Sequence, residues 1–190
     1  MDMNIESYVK TFNNWIDDKH IELTIEELEL DFTNWRQHTY YNPNSSEFVP
    51  LNGKEEFDCS WDILSSTPYI MKRIHEGVAQ YIRDLDHFCF PSLAGQTEVR
   101  FNKYTEQTLM SDHCDHIHSI FDGTRKGIPA LTILILLNEE FTGGEFVMFG
   151  DKIVPFKKGD MIVFPSNFLY PHRVNKIISG TRYSCVSWVY

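Results

Sequence analysis

What this sequence has little of already closes off several classes of protein. Its 190 residues include four cysteines, Cys59, Cys89, Cys114 and Cys185, with no CxxC pair and no evident framework among them. That argues against a disulfide-stapled scaffold, and the simplest expectation is reduced thiols in an intracellular protein. Long hydrophobic runs are missing too: the longest, Ala130 to Leu137, is far too short to cross a bilayer and reads as a buried strand. Positive charge is scarce, with 17 Lys and Arg against 27 Asp and Glu and a formal charge of -10. A surface for nucleic acid normally needs a basic patch, which this balance disfavours. There is no internal repeat, no low-complexity tract and no block of like charge that would mark a disordered tail. The opening Met1-Asp2-Met3-Asn4-Ile5-Glu6 is acidic and polar, wrong for a secretory signal. The expectation is a cytoplasmic protein, bacterial or acting in a virus-infected cell, with no membrane association.

What is present is enough apolar material for a substantial core: 42% of residues are hydrophobic and 14% aromatic. The length fits one domain over 1–190. Residues 1–95 read as a mostly helical scaffold. Thr24 to Arg36 starts like a helix, with Thr24 as N-cap and Glu27 completing a capping box. Thr67 to Asp86 is a clearer one, with Pro68 in its first turn and Ile70, Ile74, Tyr81, Ile82 and Leu85 at helical spacing. Asn42 to Asp58 has prolines, glycine and no periodicity, and reads as loop. His20, His38, His75 and His87 lack metal spacing and read as surface or capping residues.

From residue 96 the pattern changes to short apolar segments broken by turns, as in an antiparallel sandwich or barrel. The expected strands are Glu98–Tyr104, Thr108–His113, Leu131–Leu137, Glu145–Phe149, Ile153–Phe156, Met161–Phe164, His172–Lys176 and Arg182–Val189. Gly143-Gly144, Gly150-Asp151, Lys157-Lys158-Gly159-Asp160 and Ser179-Gly180 mark the turns. About eight such strands suggest a jelly-roll core over 96–190: mainly β, with the helices packed outside. Asp115 to Pro129, rich in His, Gly and charge, is a candidate flap that carries Arg125 and Lys126, which read more readily as a solvated basic turn than as peptide contacts.

Chemistry concentrates at His113-Cys114-Asp115. On a strand, residues two apart face the same way, so His113 and Asp115 offer a nitrogen and an oxygen to one point. With His172 as third ligand they make the 2-His-1-carboxylate triad of non-haem Fe(II) sites. A rival is a three-histidine zinc site using His116 and His118, which leaves the alternate Asp unexplained. On the last strand Arg182, Ser184, Val186 and Trp188 share one face and Tyr183, Cys185, Ser187 and Val189 the other. An inward arginine in a barrel is costly unless an anion meets it, and a dicarboxylate co-substrate would supply one through paired N–H···O bonds. The bland alternative is an arginine exposed on an edge strand or paired with a structural Glu. Tyr104 and Thr132 are hydroxyls on neighbouring strands able to add hydrogen bonds.

The set Tyr104…His113-x-Asp115…Gly143-Gly144-Glu145…Lys158-Gly159-Asp160…Phe164-Pro165…His172-Arg173-Val174…Gly180-Thr181-Arg182-Tyr183-Ser184…Trp188 resembles the 2-oxoglutarate- and Fe(II)-dependent oxygenases of the prolyl 4-hydroxylase type. The likeness covers roughly the last half of the chain. It implies a double-stranded β-helix, iron on His113, Asp115 and His172, and the distal carboxylate of 2-oxoglutarate on Arg182. Tyr104 and Thr132 would help, with Ser184 and Trp188 on the inner wall near the co-substrate. The implied activity is hydroxylation of an unactivated C–H bond with O2, giving succinate and CO2, with ascorbate as reductant and a peptidyl proline as target. The alternatives are a free amino acid or small metabolite, a nucleic-acid demethylase and a non-catalytic jelly-roll binder. The chain departs from the pattern at Leu136-Leu137-Asn138, where the family often has Tyr-Leu-Asn, and lacks the usual Gly after Tyr104. Arg182 replaces the lysine of collagen- and plant-type members.

Overall fold

The computed structural model describes residues 4–42, 44–51, 53–85, 93–115 and 128–190. In chain order the first half contains β1 (Lys10–Phe12), α1 (Asp18–Leu28), β2 (Arg36–Gln37), β3 (Tyr40–Asn42), β4 (Glu47–Val49), β5 (Asp58–Ser60) and α2 (Thr67–Leu85). Then come β6 (Arg100–Tyr104), β7 (Met110–His113), β8 (Leu131–Leu136), β9 (Phe141–Gly143) and β10 (Phe146–Met148). The last five are β11 (Lys152–Ile153), β12 (Met161–Pro165), β13 (His172–Val174), β14 (Ile177–Gly180) and β15 (Arg182–Val189).

The major sheet has the order β1-β12-β8-β15-β6-β5-β2, and a four-stranded sheet runs β11-β10-β13-β7. All the named pairings are antiparallel, and together the two sheets form the expected double-stranded β-helix. Side-chain alternation explains how the major sheet is buried on both faces. Ile133 and Ile135 of β8, Met161 and Val163 of β12, and Tyr183 and Cys185 of β15 pack with Ile21 and Leu28 of α1 and Ile70, Ile74 and Tyr81 of α2. The alternate residues Leu134, Ile162, Phe164 and Val186 point into the barrel with Tyr104, Phe146 and Val174. This is why the run at 131–137 is apolar at every position but Thr132. At roughly 1.5–3 kcal/mol for each fully buried aliphatic side chain, the shared layer, not local strand propensity, fixes the helices to the sheet.

α2 begins at Thr67 as its spacing predicts. α1 does not begin at Thr24. Asp17 caps it, accepting the His20 amide at 3.0 Å, and the helix ends at Leu28 instead of running to Arg36. Thr24 lies on the buried face one turn above Leu28, its hydroxyl bonded to the His20 carbonyl and to Ser66 Oγ, both at 2.6 Å. The Tyr69 hydroxyl and the His20 side chain bonded to Asp17 pull its carboxyl down to about 2.

The stretch expected as loop, 42–58, carries the β3–β4 hairpin and leads into β5, which pairs with β6. With β1 on β12 and β2 on β5, the first half contributes three strands to the major sheet. These are two or three residues long, too short to show a period. Similarly, of Ile153–Phe156 only Ile153 is in a strand. Among the described residues Cys59, Cys114 and Cys185 are free thiols, and no helix is long and apolar enough to cross a membrane.

Candidate metal centre

β7 ends at His113 and β13 begins at His172, and antiparallel pairing sets these two residues opposite each other. Each imidazole is oriented by its own backbone: His113 Nδ1 lies 2.8 Å from the Ser111 carbonyl and His172 Nδ1 3.1 Å from that of Tyr170. A carbonyl only accepts, so each Nδ1 carries the proton and each Nε2 keeps a free lone pair. Asp115 lies beyond the strand end, in a bend. A turn, not strand alternation, therefore returns its carboxylate to the histidines, with Oδ1 3.3 Å from His113 Nε2 and Oδ2 3.7 Å from His172 Nε2. The three donor atoms lie within 4.8 Å of one another, a grouping that can hold a metal ion.

The electrostatics suit a cation. His113 Nε2 is buried without a hydrogen-bond partner. Burial, reinforced by His113, brings His172 down to about 4, so its imidazole is neutral at pH 7, as a ligand must be. Burial alone would push the Asp115 carboxyl up. Attraction to the His172 and His113 imidazoles in their protonated form, with the Thr132 hydroxyl, which donates to Oδ2 at 2.6 Å, outweighs it and holds the carboxyl well below its usual range. Thr132 Oγ1 is also 2.8 Å from Ser166 Oγ.

Arg182 is on a central strand, flanked by β8 and β6, not on an edge. It is 1% exposed. Its Nη1 donates to Ser184 Oγ at 3.0 Å, its guanidinium carbon is 5.2 Å from the Tyr104 ring centre, and Nε has no partner. The salt bridges of the described residues engage Arg73 and Arg173, not Arg182. Tyr104 faces Arg182 across the β6–β15 ladder, stacked on Phe57 at 4.4 Å, and burial pushes its phenol up to about 12. The Gly-Gly turn makes room for this arrangement. Gly143 and Gly144 have φ of +75° and +66°, and a Cβ on Gly144 would lie 2.4 Å from Ile177 Cδ1 and 3.1 Å from Arg182 Cδ.

Thr132 departs from its expected place beside Arg182. It pairs with Trp188, at the far end of β15 from Arg182, and its hydroxyl is held by Asp115 and Ser166. It therefore attends the metal triad. Trp188 lines the same inner wall, its indole Nε1 buried without a partner. Asp115 and His172 of the triad line an interior cavity of about 20 Å³, together with Thr132, Phe164 and Trp188. A separate cavity of about 250 Å³ reaches Arg182 past Gly144 and Phe156.

Several neighbours of the site carried no sequence signal. His38 is buried rather than superficial, stacked 4.5 Å from Phe57, with Nδ1 3.5 Å from Glu56 Oε1. Tyr40 bridges it to the centre by ring contacts, 4.6 Å from His38 and 6.0 Å from His113. Arg100 and Asn102 also face the interior cavity, and only the inward parity of β6 with Tyr104 could have revealed them. His87, Cys89, His116, His118, Arg125, Lys126 and most of the candidate flap lie outside the described residues.

Residues 99–190 match the model of the 2OG-Fe(II) oxygenase superfamily. Among curated proteins, a PKHD-type hydroxylase of Idiomarina loihiensis is 31% identical over 94 residues, covering 48% of this chain and 41% of that protein. One from Acaryochloris marina is 34% identical over 92 residues, covering 47% and 40%. The chain thus spans well under half the length of these relatives. Among solved structures, the viral collagen prolyl hydroxylase of Paramecium Bursaria Chlorella virus-1 superposes with a TM-score of 0.67 at 16% identity, over 96% of this chain and 94% of that one. A Trichoplax adhaerens prolyl hydroxylase, solved with a peptide fragment of hypoxia inducible factor, gives 0.70 at 17% identity, over 96% and 83%. These likenesses establish a shared fold.

Proposed function

We propose, on the premise that residues 99–190 form a 2OG-Fe(II) oxygenase domain with a prolyl hydroxylase-like fold, that this chain is a 2-oxoglutarate- and Fe(II)-dependent dioxygenase. Its target is a C–H bond of a peptidyl proline, and residues 1–95 and 96–190 act as one domain. The observation that carries the reading is Arg182: a guanidinium 1% exposed, with Nε unpaired, inside the barrel that also holds the His113–Asp115–His172 cluster. A triad alone fits many metals. A triad with a buried, unneutralised arginine fits a metal with a dicarboxylate partner.

In this reading His113 Nε2, Asp115 and His172 Nε2 hold Fe(II), and Arg182 receives the distal carboxylate of 2-oxoglutarate, with Tyr104 and Ser184 beside it. When bound, iron and 2-oxoglutarate supply the oxygen chemistry that hydroxylates the target and releases succinate and CO2. The chain's own contribution is positional. The Ser111 and Tyr170 carbonyls fix the imidazole tautomers, and Thr132 fixes the carboxylate. Phe146, Phe164 and Trp188 give the cavity apolar walls. Ascorbate is the proposed reductant for iron oxidised in unproductive turnovers, by resemblance to the family.

The test is Fe(II)-dependent turnover of 2-oxoglutarate, followed by a screen of proline-containing peptides for the mass gain of one oxygen. Wild type turns over and Asp115→Ala does not. Equal turnover in Asp115→Ala, or none in wild type with iron present, overturns the assignment.

A further inference from the structure

A second buried arginine is left unused by this reading. Arg100 is 8% exposed and borders both the interior cavity of the triad and an outer cleft of about 610 Å³. Its Nε donates to Asn102 Oδ1 at 3.0 Å, and its guanidinium carbon is 5.0 Å from the Trp188 ring and 5.8 Å from that of Phe57. The salt bridges of the described residues do not include it, and Glu56, a buried carboxylate of the adjoining loop, faces His38. Two aromatic faces offset part of the cost of burying such a cation. They do not supply the oxygens its remaining N–H groups call for.

The anion Arg100 calls for is not the one proposed for Arg182. On β6, Arg100 pairs with Val186 while Tyr104, four residues on, pairs with Arg182. At about 3.4 Å per residue the two positions are roughly 14 Å apart along the ladder. Their side chains also meet different surroundings: Arg182 is near Phe141 and Gly144, and Arg100 near Trp188 and the outer cleft. One five-carbon diacid held at Arg182 leaves Arg100 free for the molecule that enters from outside.

We propose that Arg100 is a specificity-determining residue that receives a carboxylate of the substrate, supplied by an acidic side chain close to the target residue of a peptide lying in the outer cleft. The cleft favours a peptide over a free amino acid. It is open, and its walls include Phe48 and Trp61, exposed by 65% and 40%, with Arg36 adding positive charge. Among the described residues its one acidic lining residue, Asp62, already accepts the Asn34 backbone amide at 2.6 Å. The proposal rests on the dioxygenase reading for the identity of the site, but its test reads binding rather than turnover.

Twin proline-containing peptides differing only by Glu or Gln within three residues of the proline are titrated into Zn(II)-loaded protein with 2-oxoglutarate. Binding is followed by the fluorescence of Trp61 and Trp188, which lie beside Arg100. A charge-assisted pair predicts that the Glu twin binds about 10- to 100-fold more tightly. Arg100→Gln erases the gap, Arg100→Lys restores part of it, and Arg100→Glu turns the preference toward a Lys twin. Equal binding of the twins, or a gap that survives in Arg100→Gln, overturns the proposal. A parallel arm compares L-proline with L-prolinamide. An Arg100-dependent gap in that arm alone overturns the peptide as the source of the carboxylate. Absence of 2-oxoglutarate turnover in the same protein loaded with Fe(II) in place of Zn(II) would instead count against the dioxygenase reading, so the two failures are distinguishable.

Discussion

Replacing Thr132 by valine removes one hydroxyl at nearly constant volume and tests how the carboxylate of the triad is held. Thr132 Oγ1 donates to Asp115 Oδ2 at 2.6 Å in a buried setting. A hydrogen bond to a charged group contributes about 1.5–3 kcal/mol, and loss of a comparable contact behind a metal ligand costs roughly 10- to 100-fold in metal affinity. The carboxylate loses the donor that orients it toward the two imidazoles, and this weakens the site. Competitive titration of Co(II) against a chelator at pH 7 should therefore show a fall of about 10- to 100-fold. Ser166→Ala, which removes only the outer partner of Thr132, should cost on the order of 1 kcal/mol or less. Wild-type Co(II) affinity in Thr132→Val, with the fold intact by circular dichroism, would refute the idea that Thr132 serves the triad.

Two further predictions concern the supports of the site. Gly144→Ala places a Cβ against Ile177 and Arg182 at a φ of +66°. It should destabilise by about 1–3 kcal/mol and lower 2-oxoglutarate affinity, read by thermal unfolding and by titration; an unchanged melting temperature would contradict the close packing. His38 gives a pH signature. Burial, the main cause, brings it from 6.5 to about 4, so between those values the unfolded chain takes up a proton that the folded chain refuses. Stability is therefore full above about pH 6.5 and falls as pH drops toward 4, by on the order of 2–3 kcal/mol from this group. His172 acts in the same sense in metal-free protein. Urea unfolding of metal-free protein between pH 4.5 and 7 should show a shallower slope in His38→Gln, and identical slopes would refute the assignment.

The second half was far more legible in the sequence than the first. β15 was predicted from Arg182 to Val189 and is found there, because eight residues are enough for alternation to show. The same alternation correctly divided Tyr183, Cys185 and Val189 from Val186 and Trp188. The metal grouping was legible from chemistry more than geometry, since Asp115 reaches the histidines through a bend and not through strand parity. Thr24 and Glu27 satisfy a local capping pattern, yet α1 starts at Asp18, because tertiary packing uses Thr24 as a buried partner of Ser66. β1, β2 and β5 were invisible: each is stabilised by the neighbouring strand it pairs with rather than by its own residues. His38, Tyr40 and Glu56 reach the centre from one such segment, so no spacing in the chain could have announced them.

Arg182 is proposed to receive a dicarboxylate inside the barrel that also holds the His113–Asp115–His172 cluster. The most direct test is calorimetric titration of 2-oxoglutarate, under anaerobic conditions, into Fe(II)-loaded wild type and Arg182→Ala. Losing one member of a buried charged pair costs about 2–5 kcal/mol, so the account predicts an affinity at least about 30-fold weaker in the variant. Wild-type affinity for 2-oxoglutarate in Arg182→Ala would contradict it.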